Sequence, residues 1–250
     1  MEGEIIAGVH PVLEAVLSQK RVIERIHVVR GAVNDKLRRV LDEARVREIP
    51  IRKEAREALD RLAGANVHQG IVAVAGARGY ARLEDLVAHG GGSPALFVVL
   101  DEVQDPHNLG AVIRTAETAG ATGVVVTERH SAPLSAAVAR ASAGALEHLP
   151  VARVGNLVNC IKYLKTNGIW IVGLESEAET PWTGFDYSVP VALVLGGEHR
   201  GIRRLVREHC DVLVGLPVRG RVASLNVSVS AGIALYEVVR QRMAAPGRSG

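Results

Sequence analysis

Aromatic side chains are nearly missing from this 250-residue chain, where two Trp, two Phe and four Tyr make up 3% of the residues. That scarcity argues against an RNA-binding sheet built on stacked aromatic rings. Cysteine is equally scarce. Cys160 and Cys210 lack the spacing of a metal site or a disulfide framework, so a reduced compartment and no metal are expected. No apolar run is long enough to span a bilayer, and the opening MEGEIIAGVHPVLEAV has no signal-peptide pattern, so the expectation is a soluble cytoplasmic protein with no membrane partner. An excess of one charge is also missing. Thirty Lys and Arg against 27 Asp and Glu leave a net charge of +3, which permits a nucleic-acid partner without requiring one. There is no GxxxxGK[ST] loop, no GxGxxG after a strand, no HExxH, no GxSxG elbow and no Cys/His cluster. A dinucleotide-dependent enzyme is therefore disfavoured.

What is present is alternation. The chain is 48% hydrophobic and rich in Ala and Val, which suits α/β packing. Residues 1–75 read as strand, helix, strand, helix, strand, helix, strand, a small α/β domain. Its 13 Lys and Arg against 11 Asp and Glu make its bulk charge indecisive. Residues 76–93, GARGYARLEDLVAHGGGS, read as a flexible linker with a short helix in it. Beyond them, residues 94–250 carry continuous apolar runs such as ALFVVL, IWIVGL and VALVL, as expected of a parallel sheet covered on both faces. A doubly wound domain of at least five parallel strands follows. The tail at 244–250 is expected to be disordered.

Ligand sites in open α/β sheets lie outside the carboxyl ends of strands, and three such loops hold the polar residues. The first is DEVQDPHNLGAVIRT at 101–115, read as a turn at 106–110 with Asn108 as a helix cap and Arg114 shortly after. Taken alone, Arg114 is as good a partner for Glu117 or Asp101 as for a substrate. The second is LGGEHRG at 195–201, where paired glycines let backbone approach a ligand and Glu198 sits at a possible helix start. The third is LPVRGRVASLNVSVSAGIAL at 216–235, where Ser224 or Asn226 would cap a helix and the free N–H groups suit an anion. SxNxS before a helix is often a cap and nothing more. Six arginines (200, 203, 204, 207, 219 and 221) against Glu198, Glu208 and Asp211 make the neighbourhood locally basic. Asn, Arg, Glu and Ser with abundant backbone groups suit the orientation of a polyanion beside an organic cofactor that carries the reactive group.

These three loops resemble, in order and spacing, the three motifs of the SpoU (TrmH-like) branch of the SPOUT RNA methyltransferases: DEVQDPHNLGAVIRTAETAG, LVLGGEHRGIRRLV and LPVRGRVASLNVSVSAGIALYEVVRQR. The amino-terminal GVHPVLEA and HQGIVA are similar to the family's substrate-binding domain. The overall likeness is greatest to bacterial enzymes that methylate a guanosine 2′-OH in 23S rRNA. The resemblance implies a carboxyl-terminal SPOUT domain at 94–250 with a parallel sheet and a deep trefoil knot, one of the rare exceptions to unknotted topology. It implies a linker at 76–93 and an RNA substrate-binding domain at 1–75. It further implies S-adenosylmethionine as cofactor, an RNA substrate and a homodimer. The cofactor-contacting positions would be Gly196, Gly197, Leu216, Val218, Ser224 and Leu225. The active-site positions would be Asn108, Arg114, Glu198, Ser224 and Asn226.

In the mechanism so implied, a ribose 2′-OH loses its proton as it attacks the methyl carbon, so the protein supplies alignment and a proton route. Phosphate clamping by Arg114 is expected over literal proton abstraction, because an Arg pKa normally exceeds about 12. One departure is His199-Arg200, where the family usually has a second Gly or a small residue; tolerated surface variation is favoured over a proton relay. Two rival readings remain, a tRNA 2′-O-methyltransferase of the same family and a non-catalytic RNA-binding protein on a degenerate methyltransferase fold.

Overall fold

The structure, a computed structural model, describes residues 4–18, 21–31, 34–64, 66–76, 79–88, 93–197 and 200–244. The chain forms two compact units, Met1–Gly79 with Leu134–His148, and Tyr80–Pro133 with Leu149–Gly250.

The first unit runs β1 (Glu4–Ala7), α1 (Val9–Ser18), β2 (Ile23–Val29), α2 (Asp35–Val46), β3 (Ile51–Glu54), α3 (Arg56–Ala63) and β4 (Ile71–Ala75). Its sheet has the order β1-β4-β2-β3. It is mixed: β4 is antiparallel to β1 and β2, and β2 is parallel to β3. Alternation of element types does not encode strand direction, which long-range pairing decides. The helices α1 and α2 cover one face through Val12, Val16, Val40 and Leu41 against Ile26, Val28 and Ala73. On the other face α3 sets Leu59 and Ala63 against Val72. The last strand of the unit, β4, begins at Ile71. Before it, buried His68 pairs with Asp60 at 2.8 Å and accepts from the Gly70 amide at 3.0 Å, bending the chain through Gln69 at φ 50°.

The second unit runs α4 (Leu83–Ala88), β5 (Leu96–Asp101), α5 (Pro106–Thr118) and β6 (Gly123–Thr127). After an excursion holding α6 (Ala136–Ala141), it continues with β7 (Val151–Val154), α7 (Leu157–Thr166), β8 (Trp170–Leu174), β9 (Thr180–Pro181), β10 (Val191–Gly196), α8 (Arg204–Arg207), β11 (Val212–Gly215) and α9 (Val227–Ala244). Its strands lie in the order β7-β6-β5-β10-β8-β11-β9, and every pairing is parallel. The central strands are apolar without alternation because both faces are covered. Leu86, Leu157, Ile161, Leu164 and Val206 bury one face with Phe97, Val99 and Val125. On the other side α5 and α9 pack together, with Gly232 facing Thr115, where even a Cβ would be at an ordinary contact distance of 3.7 Å.

The compact units divide the chain differently from the expected bounds in two places. Residues 94–250 are not one continuous domain, since Leu134–His148 belongs to the first unit. Buried Arg21 donates to Glu4 at 2.5 Å and to Glu147 at 2.7 Å. Gly144, at φ 98°, leaves the space that the Glu14 side chain fills. Residues 76–93 are not linker throughout either. Ala81 N donates to Val151 O at 2.9 Å, Leu86 enters the core, and Arg153 lies 4.4 Å above the Tyr80 ring. Gly90, Gly91 and Gly92, read as the flexible break, and residues 245–250 of the tail lie outside the described residues.

Candidate active site

The site grows from two strand ends. Parallel neighbours β5 and β10 stay in register to Gly196 opposite Asp101. There the order reverses, with β6 and β7 on one side and β8 and β11 on the other. Such a switch point opens a crevice beyond the carboxyl ends of the strands. The chain crosses it tightly. The Gly197 amide donates to Asp101 O at 2.8 Å. A Cβ on Gly196 would fall 1.8 Å from the Gly201 carbonyl carbon, and one on Gly197 would fall 2.4 Å from Glu102 O. Neither position admits a side chain.

Gly196, Gly197, Leu216, Val218, Ser224 and Leu225 line one cavity of about 400 Å³. Leu174, Leu195 and Val227 make it apolar on several sides, while Ser176, Ser230, Glu175, Glu177 and Arg200 place polar groups in it. An adjoining cavity of about 520 Å³ shares Ser176, Glu177, Leu216, Val218 and Ala223 and adds Trp182, Pro181 and Pro217. Sequence reasoning missed the loop after β8, whose Leu174–Glu177 stretch lines the main cavity. Its one available signal was its place at the end of an apolar strand; it holds no glycine pair and no motif.

The active-site positions fall into groups. Asn108 and Asn226 meet: the Asn226 Nδ2 donates to Asn108 Oδ1 at 3.0 Å. Asn226 also starts α9, its Oδ1 accepting from Ser228 N at 2.8 Å and Ser228 Oγ at 2.6 Å. Ser224 is exposed two residues earlier and does not cap the helix. The turn expected at 106–110 is instead the first part of α5. Asp105 caps that helix by accepting from His107 N at 2.9 Å, and Pro106 opens it. Proline at this position loses no helical hydrogen bond and its φ is already set. Asn108 is thereby relieved of capping. Arg114 stands exposed on α5 and, among the described residues, makes no hydrogen bond or ion pair. Of its two suggested partners, Asp101 pairs instead with Arg203. Glu198 and His199 lie outside the described residues.

The basic neighbourhood is smaller than six arginines suggest. Arg203 is bound by Asp101 and Glu102, and Arg204 by Glu208 at 2.6 Å. Arg200, Arg219 and Arg221 are exposed around the cavity and its loop, and Arg207 is exposed on α8. Burial pushes the Asp101 carboxyl above its ordinary range, against the pull of Arg203. Burial also pushes the Cys160 and Cys210 thiols up to about 12, so neither is a nucleophile at neutral pH. Among the described residues no group of three or more His, Cys, Asp or Glu could hold a metal ion, and no helix is long and apolar enough to cross a membrane.

A cavity of this size and lining fits an adenosyl amino acid. Apolar walls suit a purine, backbone and hydroxyl groups suit ribose and amino-acid ends, and carboxylates suit a cation.

Comparison with known proteins agrees with this chemistry. The profile of the SpoU rRNA methylase family matches residues 95–236, and that of the RNA 2′-O ribose methyltransferase substrate-binding domain matches residues 5–81. The 23S rRNA (guanosine-2′-O-)-methyltransferase RlmB of Xanthomonas axonopodis pv. citri is 43% identical over 98% of this chain and 99% of its own. The putative TrmH family tRNA/rRNA methyltransferase YacO of Bacillus subtilis is 40% identical over 96% of this chain and 97% of its own. Among solved structures, the SpoU methyltransferase AviRb of Streptomyces viridochromogenes in complex with AdoMet superposes with a TM-score of 0.81 at 26% identity. That match covers 96% of this chain and 91% of AviRb.

Proposed function

The chain belongs to the SpoU methylase family and is an S-adenosylmethionine-dependent RNA ribose 2′-O-methyltransferase, and we propose that its target is the 2′-OH of a guanosine in 23S rRNA. One observation carries the site assignment: six residues from two separate loops line one cavity at the β5/β10 switch point. The target follows from the full-length likeness to RlmB.

S-adenosylmethionine, when bound, supplies an electrophilic methyl group on a sulfonium that needs no acid to leave. The residues of this chain do the remaining work. Gly196, Gly197, Leu216, Val218, Ser224 and Leu225 form the cofactor cavity. Arg114, exposed and unengaged among the described residues, clamps a phosphate of the substrate bidentately and thereby fixes the ribose. Because a guanidinium keeps its proton at neutral pH, Arg114 aligns rather than abstracts. Asn108 and Asn226, joined at 3.0 Å, present amide groups to the ribose, with Ser224 and Glu198 completing the polar set. Arg200, Arg219 and Arg221 draw in the RNA backbone.

Two architectural readings belong to the same proposal. The carboxyl-terminal segment forms a deep trefoil knot. In support, backbone crosses backbone closely: a Cβ on Gly215 would lie 2.9 Å from Ala178 O, and the Gly196–Gly201 crossing is tighter still at 1.8 Å. The protein acts as a homodimer through α9, where Val229, Ile233 and Tyr236 are 49%, 37% and 51% exposed at the spacing of one helix face. A second reading of the substrate, tRNA, is kept because the similar YacO is described as a tRNA/rRNA methyltransferase.

The test is calorimetric titration with S-adenosylmethionine, then methyl transfer to total rRNA and tRNA with mapping of the 2′-O-methyl sites. A single guanosine labelled in 23S rRNA is the expected result. Label in tRNA overturns the substrate. A folded protein that binds no cofactor overturns the site assignment and favours a non-catalytic RNA-binding protein.

A further inference from the structure

Asp101 is fully buried at the carboxyl end of β5 and has no part in the steps above. A buried carboxylate is costly unless it is paired and hydrogen-bonded, and this one is held entirely by the loop beside the cofactor cavity. Its main-chain oxygen accepts from the Gly197 amide at 2.8 Å. Its carboxylate accepts from Arg203 three times: Oδ2 from the backbone amide at 2.9 Å, and Oδ1 from Nε at 2.8 Å and Nη2 at 2.7 Å. One residue thus grips both flanks of the turn after β10. Those flanks are cavity wall, since Gly197 on one side and Arg200 and Gly201 on the other line it. Two further bonds close the arrangement, from Gly201 N to Gly197 O at 3.1 Å and from Ile202 N to Glu175 Oε1 at 3.2 Å.

We propose that Asp101 and Arg203 are positioning residues, a clamp that pre-forms the wall at Gly197 and Arg200–Gly201 and so sets the affinity for S-adenosylmethionine. The proposal rests on the cofactor assignment above and goes beyond it by giving a role to an acid and a base outside the cavity lining. Glycines at 196, 197 and 201 leave this backbone free to wander when it is not held. Charge-assisted hydrogen bonds from a buried carboxylate hold it before the ligand arrives, which removes an ordering cost from binding. The same geometry separates Arg203 from its basic neighbours. Its Nη1 also reaches Glu102 at 3.3 Å, so its guanidinium is spent on two carboxylates and is not offered to RNA.

The experiment compares wild type with Arg203→Gln, Arg203→Lys, Asp101→Asn and the Asp101→Asn/Arg203→Gln double variant. For each, the affinities for S-adenosylmethionine and for substrate RNA, KM, kcat and Tm are measured. Arg203→Gln is expected to raise the cofactor Kd and KM about tenfold or more while kcat and RNA affinity stay within about threefold, the loss of a pre-paid ordering cost. Arg203→Lys restores part of the affinity. The double variant binds no worse than either single one, as expected of residues acting as one unit. Arg203→Gln leaves the buried Asp101 carboxylate with only the Arg203 backbone amide, so its Tm is expected to fall, while the double variant, neutral at both positions, removes the unpaired charge and keeps the cofactor comparison on a folded protein. Cofactor affinity unchanged in Arg203→Gln overturns the clamp, as does a loss of RNA affinity with cofactor affinity kept. A wild-type protein that binds no cofactor overturns the underlying assignment instead, so the two failures are told apart.

Discussion

Asn226 donates its side-chain amide to Asn108 Oδ1 at 3.0 Å while its own Oδ1 receives the Ser228 amide and hydroxyl. One side chain therefore caps α9 and ties it to the first turns of α5. Asn226→Ala removes both functions, whereas Asn108→Ala removes the tie and leaves the cap in place. Loss of a cap costs about 1 kcal/mol, or roughly 2–4 °C in Tm for a chain of this size. The expected result is lower Tm in Asn226→Ala than in Asn108→Ala, with methyl transfer reduced about tenfold or more in both. Equal turnover of Asn108→Ala and wild type in a single-turnover assay removes Asn108 from the site.

Arg114 offers a cleaner separation of stability from activity. It is exposed and, among the described residues, engages no other side chain, so Arg114→Ala should leave Tm and cofactor affinity as they are. A lost bidentate phosphate contact and the alignment it gives are worth about a hundredfold in rate. Arg114→Lys keeps the charge but loses the fork, and should recover only part of it. Near-normal turnover in Arg114→Ala ends the assignment.

Gly196→Ala tests the crossing itself. The added methyl would lie 1.8 Å from the Gly201 carbonyl carbon, a contact with backbone that no rotamer change relieves. The wall formed by Gly197 and Gly201 must then shift, and cofactor binding should fall below detection in a calorimetric titration. Gly220, whose built Cβ meets nothing within 4 Å, is the control: Gly220→Ala should bind the cofactor as wild type does.

These sites differ in how readable they were. The strands β5, β6 and β10 are legible because burial on both faces demands runs such as LFVVLD and VALVLG. Glycines at their ends are legible because close backbone approach demands them. The cap of α5 was misplaced at Asn108 because Asp105 and Asn108 are both good caps, and only Pro106 at the first helical position decides between them. Ser176 and Glu177 carried no local signal, since they enter the cavity through the pairing of β8 beside β10. Leu134–His148 leaves its sequence neighbours because buried Arg21 requires Glu147, a partner 126 residues away that no periodicity reveals. The six-arginine patch shrinks for the same reason: Asp101 and Arg203 are distant in sequence and adjacent in space.

His27 gives the first unit a pH-dependent stability. Burial, and then the Arg25 charge beside it, hold its pKa below the ordinary 6.5, against the pull of Glu54. Below pH 6.5 the unfolded chain therefore takes up a proton that the folded state resists, so stability rises with pH through this window and is lost on acidification. Well above 6.5 His27 is neutral in both states and contributes no slope. Thermal unfolding between pH 5 and 8, windows set by the His reference value of about 6.5, should show Tm falling on the acid side. His27→Gln, which cannot titrate, should flatten that fall; an unchanged acid limb would assign the slope to other groups.

The exposed face of α9 carries the last prediction. Val229, Ile233 and Tyr236 stand out on the helix whose Ala231, Ala234, Leu235 and Val238 are buried. Apolar residues spaced i, i+4 and i+7 on one exposed face suit another apolar surface better than water. Because these side chains are already about half covered, burying the remainder would contribute about 0.5–1.5 kcal/mol each, while one charge placed among them would oppose association by a comparable amount or more. Ile233→Asp should therefore shift the protein from dimer to monomer in sedimentation or light scattering, with secondary structure kept by circular dichroism. Because the polar residues at the start of α9 and on α5 are assigned to the active site, methyl transfer should fall along with the dimer fraction and recover at high protein concentration. A wild-type protein that sediments as a monomer at all concentrations would instead leave this stripe without a second copy to bury it.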